Sequence, residues 1–217
     1  MIRPTVSLVP PTAVVTTPAQ ERALDAAVEL VARWGLTKTT LGDVARTAGM
    51  GRATLYRAFP GGRDQLVDML GQREVAGFLQ VVADAFDVAP DLPSALADGL
   101  HAAATHLEGH AAARFVLEHE PELAVPVLGF AEMDRLLMVA RLDLAPHLAP
   151  HLDPEHSDRA ERAGWAVEWL ARMFLSSLVT TTSTFDLTDA DACRRLVARY
   201  VVPALVSSPR QPLSTSA

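Results

Sequence analysis

The sequence is poor in cysteine, the residue whose disulfides stabilise many small secreted proteins. Of its 217 residues only Cys193 is a cysteine, so no disulfide can form within the chain. No charged-then-apolar leader opens the sequence, and no run of eighteen or more apolar residues could span a membrane. We therefore expect a cytoplasmic protein without a membrane role. Arg194 and Arg195 beside the cysteine would lower its pKa, which leaves a redox role as a hypothesis.

The sequence also lacks the patterns of common catalytic and metal sites. His106 and His110 are four residues apart, as are His147 and His151, but no cysteine joins either pair at zinc-ligand spacing. We find no nucleophile–base motif and no phosphate-binding loop. We therefore expect no metal, no cofactor and no catalytic residues, and the sequence does not predict an enzyme.

The negative net charge argues against a protein that binds nucleic acid over its whole surface. The net charge is −7 and the isoelectric point is about 5.4. Residues 19–70 carry seven basic and six acidic side chains, a net charge of +1, which leaves −8 for the remainder. Any phosphate binding must therefore come from a few placed groups and from helix N-termini.

Helical periodicity accounts for most of the chain, and neither a repeat nor a strand pattern is present. Thr17, Pro18 and Gln20 form a strong helix start, and Gly35 ends that helix. Further helices are expected over about 63–88, 94–108, 111–119, 129–145, 155–183 and 190–206. The sequence thus predicts an all-α protein, with a flexible arm at 1–17 and a disordered tail at 208–217.

The stretch between Thr40 and Phe59 contains two short helices joined by a glycine turn. Thr40 can cap the first helix, and Gly49 can adopt the left-handed conformation that ends it. The second helix, over about 52–58, turns Leu55 and Phe59 inward and leaves its other residues outside. This is the plan of a helix-turn-helix, whose second helix enters the DNA major groove.

Particular residues around this motif form a pattern that extends from about residue 19 to residue 70. They are Gly35, Thr39, Thr40, Leu41, Asp43, Val44, Ala45, Ala48, Gly49, Met50, Thr54, Leu55, Tyr56, Phe59, Pro60, Asp64, Gln65 and Leu66. In these residues the stretch resembles the DNA-binding domain of the TetR family of transcriptional regulators. Two positions depart from the family pattern. Gly51 stands where a serine often caps the recognition helix, and Ala58 stands where a histidine or tyrosine often touches phosphate.

The resemblance implies a three-helix DNA-binding domain over 18–70, followed by a helical domain over 71–207 that binds an effector and dimerises. The helix predicted at 63–88 would link the two. The helix at 155–183 has apolar residues on more than one face, including Trp165, Trp169 and Phe174. One face would line a cavity. The other face would form, with the last helix, a four-helix bundle across a two-fold axis.

The candidate DNA contacts lie in and before the two short helices. Arg52 is expected to read a base edge, most simply a guanine, through its two-pronged guanidinium. Ala53 and Tyr56 would touch thymine methyl groups. Phosphate contacts are expected from Lys38, Thr40, Thr54 and Arg57. The alternative is that these arginines are ordinary solvated surface charges.

The candidate effector pocket is apolar, which is usual for small-molecule sites. Its predicted lining is Phe115, Phe130, Met133, Leu137, Trp165, Trp169 and Met173. Such residues at helical spacing also form ordinary cores, and that alternative stays open.

Two functions follow from these observations. The first is a dimeric repressor that a small, mainly apolar effector releases from a near-palindromic double-stranded DNA operator. The second is an α-helical enzyme or small-molecule carrier whose DNA-binding head is vestigial.

Overall fold

The computed structural model describes residues 16–124, 130–155, 157–179 and 186–206, and all regular secondary structure in these ranges is helical. The helices are α1 (Pro18–Trp34), α2 (Leu41–Thr47), α3 (Arg52–Ala58), α4 (Gly62–Val88), α5 (Leu92–Gly109), α6 (Ala111–His119), α7 (Pro121–Ala124), α8 (Phe130–Leu148), α9 (Arg159–Val179), α10 (Ala190–Leu196) and α11 (Val202–Val206). A 3-10 turn, Ala149–His151, follows α8, and a π-helical segment, Val197–Val201, joins α10 to α11. The all-α prediction is confirmed. Most of the predicted arm and the whole predicted tail lie outside the described residues.

The helix predicted at 155–183 begins later than expected. Asp153 accepts a hydrogen bond from the Glu155 amide at 2.9 Å, but this bond closes a turn, and α9 begins only at Arg159. Residues 180–183 lie outside the described ranges. Among the described helices α4 is the longest, with 27 residues against 21 for α9, whereas the predicted bounds, 63–88 and 155–183, made the later helix the longer.

The chain divides into two compact units. Unit 1 comprises Met1–Gln80 and His106–Val139, and unit 2 comprises Val81–Thr105 and Ala140–Ala217. This division does not coincide with the boundary expected after residue 70, because α6 and α7 belong with the first three helices. None of the described helices is long and apolar enough to cross a membrane.

Helix α1 is the centre of unit 1, because α2, α3 and α6 all pack against it. Its Leu24 and Ala27 are fully buried, and the adjoining core includes Val44 of α2, Leu55 of α3 and Ala112 of α6. The predicted capping box is present: the Gln20 amide donates to the Thr17 hydroxyl at 3.3 Å, and the Thr17 amide donates to the Gln20 side chain at 2.9 Å. The Gln20 side-chain Nε2 also donates to the Ala58 carbonyl at 3.0 Å, which ties the start of α1 to the end of α3.

Unit 2 is built around the ring of Phe86, which is 1% exposed. Gly99 of α5 makes room for this ring, since a Cβ at residue 99 would lie 2.1 Å from Phe86 Cε1. The His151 ring lies with Nε2 2.8 Å from the Phe86 carbonyl oxygen, so it satisfies a carbonyl near the end of α4. Leu96, Leu148 and other fully buried side chains complete the core.

We predict that Gly99→Ala destabilises the protein by about 1–3 kcal/mol, because the added methyl group overpacks the Phe86 ring. The matched control is Gly77→Ala in α4, where no atom lies within 4 Å of the added Cβ. That change should stabilise the helix by up to about 1 kcal/mol. Urea unfolding of both variants at one protein concentration measures the difference, and an unchanged midpoint for Gly99→Ala would contradict the packing described.

Candidate nucleic-acid interface

The helix-turn-helix has the geometry that the sequence predicts. Thr40 caps α2, and Gly49 has a φ of 62°, the left-handed conformation that lets the chain turn between α2 and α3. Leu55 and Phe59 are 1% and 0% exposed and anchor α3 in the core of unit 1. The opposite face of α3 is thereby directed to solvent.

That outer face carries the residues expected to contact DNA. Arg52, Ala53, Thr54, Tyr56 and Arg57 are all exposed, and the Tyr56 side chain is 55% exposed despite its aromatic ring. Lys38, in the loop before α2, is exposed as well. All seven predicted contacts are therefore exposed: five lie on α3, Lys38 lies in the loop before α2, and Thr40 caps α2.

The basic side chains of this face differ from most others in unit 1. Arg33, Arg46 and Arg114 are paired with carboxylates on their own helices, and Arg73 contacts three acidic residues. Within the described part of the chain, Lys38, Arg52 and Arg57 form neither a hydrogen bond nor an ion pair. Free guanidinium groups on an exposed helix can bind a base edge or a phosphate without first breaking an internal pair.

Thr40 is engaged within the protein. Its hydroxyl accepts from the Asp43 amide at 3.2 Å and donates to the Asp43 carboxylate. The hydrogen bond from Thr40, together with that from Arg46, holds the pKa of Asp43 below its usual value. A phosphate at Thr40 would have to replace the Asp43 carboxylate as acceptor of the hydroxyl proton, so the Thr40–Asp43 side-chain hydrogen bond competes with the predicted phosphate contact.

The two departures from the family pattern have visible consequences. Gly51 occupies the cap position of α3 and provides no side-chain hydrogen bond to the helix N-terminus. Ala58 ends the helix without a polar group. The N-terminal amides of α3 are therefore satisfied less completely than those of α2, and one potential phosphate contact is missing.

A charged residue that the sequence analysis did not single out lies buried against the helix-turn-helix. Glu120, between α6 and α7, is 6% exposed. Its carboxylate accepts from the Leu36 amide at 2.6 Å and from the Thr37 amide at 2.8 Å. Glu120 lies more than eighty positions from the loop that it holds, and no local pattern indicates such a contact.

The charge state of Glu120 follows from these contacts. Burial raises the pKa of the carboxyl, but the hydrogen bonds from Thr37 and Leu36 and the charge of Arg63 outweigh burial and bring the pKa below its ordinary value. The group is therefore ionised at neutral pH. The stability that it adds is present above the unfolded pKa and is lost as the pH falls through the lower folded pKa.

The predicted effector residues are divided between the two units. Phe115, Phe130, Met133 and Leu137 belong to unit 1, whereas Trp165, Trp169 and Met173 belong to unit 2. Leu137 is buried and Trp165 is 63% exposed, while the side chain of Phe130 lies outside the described residues. Phe115 stacks on His119 with ring centroids 4.6 Å apart, and its ring borders Gly35. That the seven residues form one pocket stays a prediction.

Cys193 is not an activated thiol. It is fully buried in unit 2, and its Sγ lies 3.2 Å from the Leu187 carbonyl oxygen. Burial, with Asp189 and Asp186 nearby, raises its pKa to about 11. The expected net lowering of the pKa was wrong, because burial and the two aspartates outweigh the lowering effect of Arg194. Arg194 also pairs with Asp191, and Arg195 with Asp189. In the described ranges no group of three or more potential metal ligands occurs.

Comparison with known proteins places these features in a family. Residues 23–70 match the family described as bacterial regulatory proteins, tetR family. An uncharacterised HTH-type transcriptional regulator of Mycobacterium bovis is 29% identical over 174 residues, which cover 78% of this chain and 82% of that protein.

Solved structures show the same fold at lower identity. The TetR family repressor AlkX from Dietzia sp., implicated in biodegradation of n-alkanes, has a TM-score of 0.60 and 21% identity, covering 87% of this chain and 95% of the other. The fatty acid degradation regulator FadR from Bacillus halodurans has a TM-score of 0.54 and 18% identity, covering 84% and 95%.

We predict that Thr40→Ala lowers the free energy of unfolding by about 1 kcal/mol, because α2 loses its cap. Thr40→Ser should retain most of that stability. Thr54→Ala, which removes an exposed hydroxyl from within α3, should change stability by less than about 0.5 kcal/mol. Urea denaturation compares the three variants, and equal effects at residues 40 and 54 would show that the Thr40 cap adds nothing.

Proposed function

We propose that this chain, whose residues 23–70 match the tetR family of bacterial regulatory proteins, is a dimeric transcriptional repressor of that family, released from its operator by a small, mainly apolar effector. One observation carries this proposal: the exposed face of α3 presents unpaired Arg52 and Arg57 while Leu55 and Phe59 anchor the opposite face. The protein would act on double-stranded DNA in the cytoplasm.

Each DNA-binding head would lay α3 in a major groove. Arg52, at the first position of α3, would read a base edge, because the N-terminal residues of a recognition helix approach the bases. Ala53 and Tyr56 would contact thymine methyl groups. Lys38 and Arg57 would contact phosphates on either side, and Thr40 and Thr54 would add hydroxyl contacts.

A homodimer would place two heads on one operator. Unit 2 exposes two large aromatic residues on the helices expected to dimerise, Trp165 of α9 at 63% and Tyr200 at 54%. Burial of such side chains against a second copy would remove apolar surface from water. A two-fold arrangement requires a near-palindrome whose half-sites are separated by about one turn of DNA.

The effector would act by binding one arrangement of the heads better than the other. Without Trp165, which is assigned to the dimer interface, the predicted lining still contains aromatic, Met and Leu side chains, which suit an apolar molecule. Two regulators with this fold are connected with n-alkane and fatty acid degradation. Long-chain alkanes and fatty acids are therefore the first compounds to test for release of DNA.

Selection of fragmented genomic DNA on the purified protein tests the function. We expect an enriched inverted repeat for the wild type and its loss for Arg52→Ala, because a bidentate base contact contributes about 1–3 kcal/mol of discrimination in each head. Arg114→Ala is the matched control. It removes the same charge from an exposed arginine that pairs with Glu118 of α6, and it should retain the repeat.

The outcomes separate the alternatives. Specific binding retained by Arg52→Ala would overturn the role of Arg52 but leave the repressor in place. A folded wild type that enriches no sequence, with or without extraction of bound small molecules, would favour the carrier or enzyme with a vestigial head.

We further predict that Trp165→Glu shifts the protein from dimer to monomer, because a carboxylate would be placed in the apolar interface. Light scattering after gel filtration measures the mass. Val88→Glu is the control, since Val88 is 84% exposed at the end of α4 and should leave the mass unchanged. A Trp165→Glu variant that stays dimeric would show that this residue lies outside the interface.

A further inference from the structure

The buried polar residues of the described chain converge on one loop. Thr39 and Glu120, at 4% and 6% exposed, are the two polar or charged residues classed as buried there. Both hold the segment Gly35–Thr40 between α1 and α2, which we call the α1–α2 loop. The Thr39 hydroxyl donates to the Gly35 carbonyl at 2.7 Å, and Glu120 accepts from two consecutive amides of the loop.

The loop is held from two sides. Its Leu36 and Thr37 amides donate to Glu120, whereas Arg63, near the start of α4, donates to the Leu36 carbonyl at 2.8 Å and to the Thr39 carbonyl at 3.3 Å. A buried carboxylate with two amide partners and a nearby guanidinium is stable only in this arrangement, since the loss of one partner leaves a charge poorly solvated.

Gly35 shows how closely the carboxylate approaches. Its φ is 86°, in the region that favours glycine. A Cβ at residue 35 would lie 2.7 Å from Glu120 Oε1 and 2.7 Å from Phe115 Cε1. The α6–α7 junction is therefore seated directly on the backbone where α1 ends.

The α1–α2 loop ends in two proposed phosphate contacts, Lys38 and Thr40. Lys38 follows the amides that Glu120 binds, and Thr40 caps α2. We propose that Glu120 is a positioning residue for DNA binding, which fixes the α1–α2 loop so that Lys38 reaches the phosphate backbone. This inference rests on the proposed function, and it assigns to the α6–α7 junction a part in DNA affinity.

The carboxylate is required because two amides need two acceptors. In Glu120→Gln the remaining side-chain oxygen can still accept one hydrogen bond. The NH₂ group would face the second backbone N–H, and because both groups are donors, no hydrogen bond can form there. Glu122→Gln is the matched control, because Glu122 is an exposed carboxylate of α7. Both variants lose one negative charge, so a general electrostatic effect on DNA binding cancels in their comparison.

The test is a double-mutant cycle on the operator selected from genomic DNA, with Kd measured at several salt concentrations. We expect Glu120→Gln and Lys38→Ala each to weaken DNA binding about tenfold. The double variant should also bind about tenfold more weakly, because both changes remove the same contact between Lys38 and phosphate. Each change should reduce the salt slope by about one. In the Glu122→Gln background, Lys38→Ala should keep its full effect.

An additive, roughly hundredfold loss in the double variant would overturn the proposal. A structural defect alone would lower the amount of active protein but would leave the salt slope unchanged. If Glu120→Gln is not folded, Glu120→Asp, which keeps the charge on a shorter side chain, takes its place in the cycle under the same criterion.

Amide hydrogen exchange distinguishes failure of this inference from failure of the proposed function, because it needs no DNA. Leu36 and Thr37 should exchange faster in Glu120→Gln than in the wild type or Glu122→Gln. Unchanged exchange at these amides would refute the role of Glu120 in holding the loop. Faster exchange in a protein that selects no DNA would confirm the loop contact and refute its part in DNA binding.

Discussion

The proposed DNA-binding surface depends on the burial of the inner face of α3 against α1. A helix of seven residues is unstable alone, because nucleation costs more than so few hydrogen bonds return. Leu55 and Phe59 supply the missing stability by entering the core that Leu24 and Ala27 of α1 begin. Because these two side chains point into the core, Arg52 and Arg57 on the opposite face of α3 point into solvent. One face of α3 therefore contributes to stability, and the other carries the proposed DNA contacts.

The head is more than three helices. Helix α6 packs on α1, its Ala112 belongs to the same core, and Glu120 beyond its end binds the loop that leads into α2. A segment from the later half of the chain thus completes unit 1, which carries the proposed DNA contacts. Any change in α6 would reach α1 and the α1–α2 loop through contacts within one compact unit. This arrangement offers a physical basis for the proposed effector control that a separately folded head would lack.

Local rules predicted the local features. The Thr17 capping box, the Thr40 cap and the left-handed Gly49 each depend on neighbours within a few residues, and all three are present. The same rules misplaced the start of α9, because an Asp–Pro pair can also close a turn. They misjudged Cys193, whose burial depends on the packing of distant segments. The contact of Glu120 with Leu36 likewise depends on tertiary structure, which periodicity does not encode.

Three features of the chain limit how strongly DNA could be bound. The chain is acidic overall, α3 lacks a side-chain cap, and Thr40 is engaged with Asp43, so each proposed head would have few strong phosphate contacts. Because the electrostatic contribution to DNA affinity increases with the number of phosphate contacts, one head alone would bind weakly. In the proposed dimer the second head binds at a high effective concentration, provided that the spacing matches the operator. The proposed dimer would therefore be sensitive to the spacing of its heads, and an effector would need only to change that spacing to release the DNA.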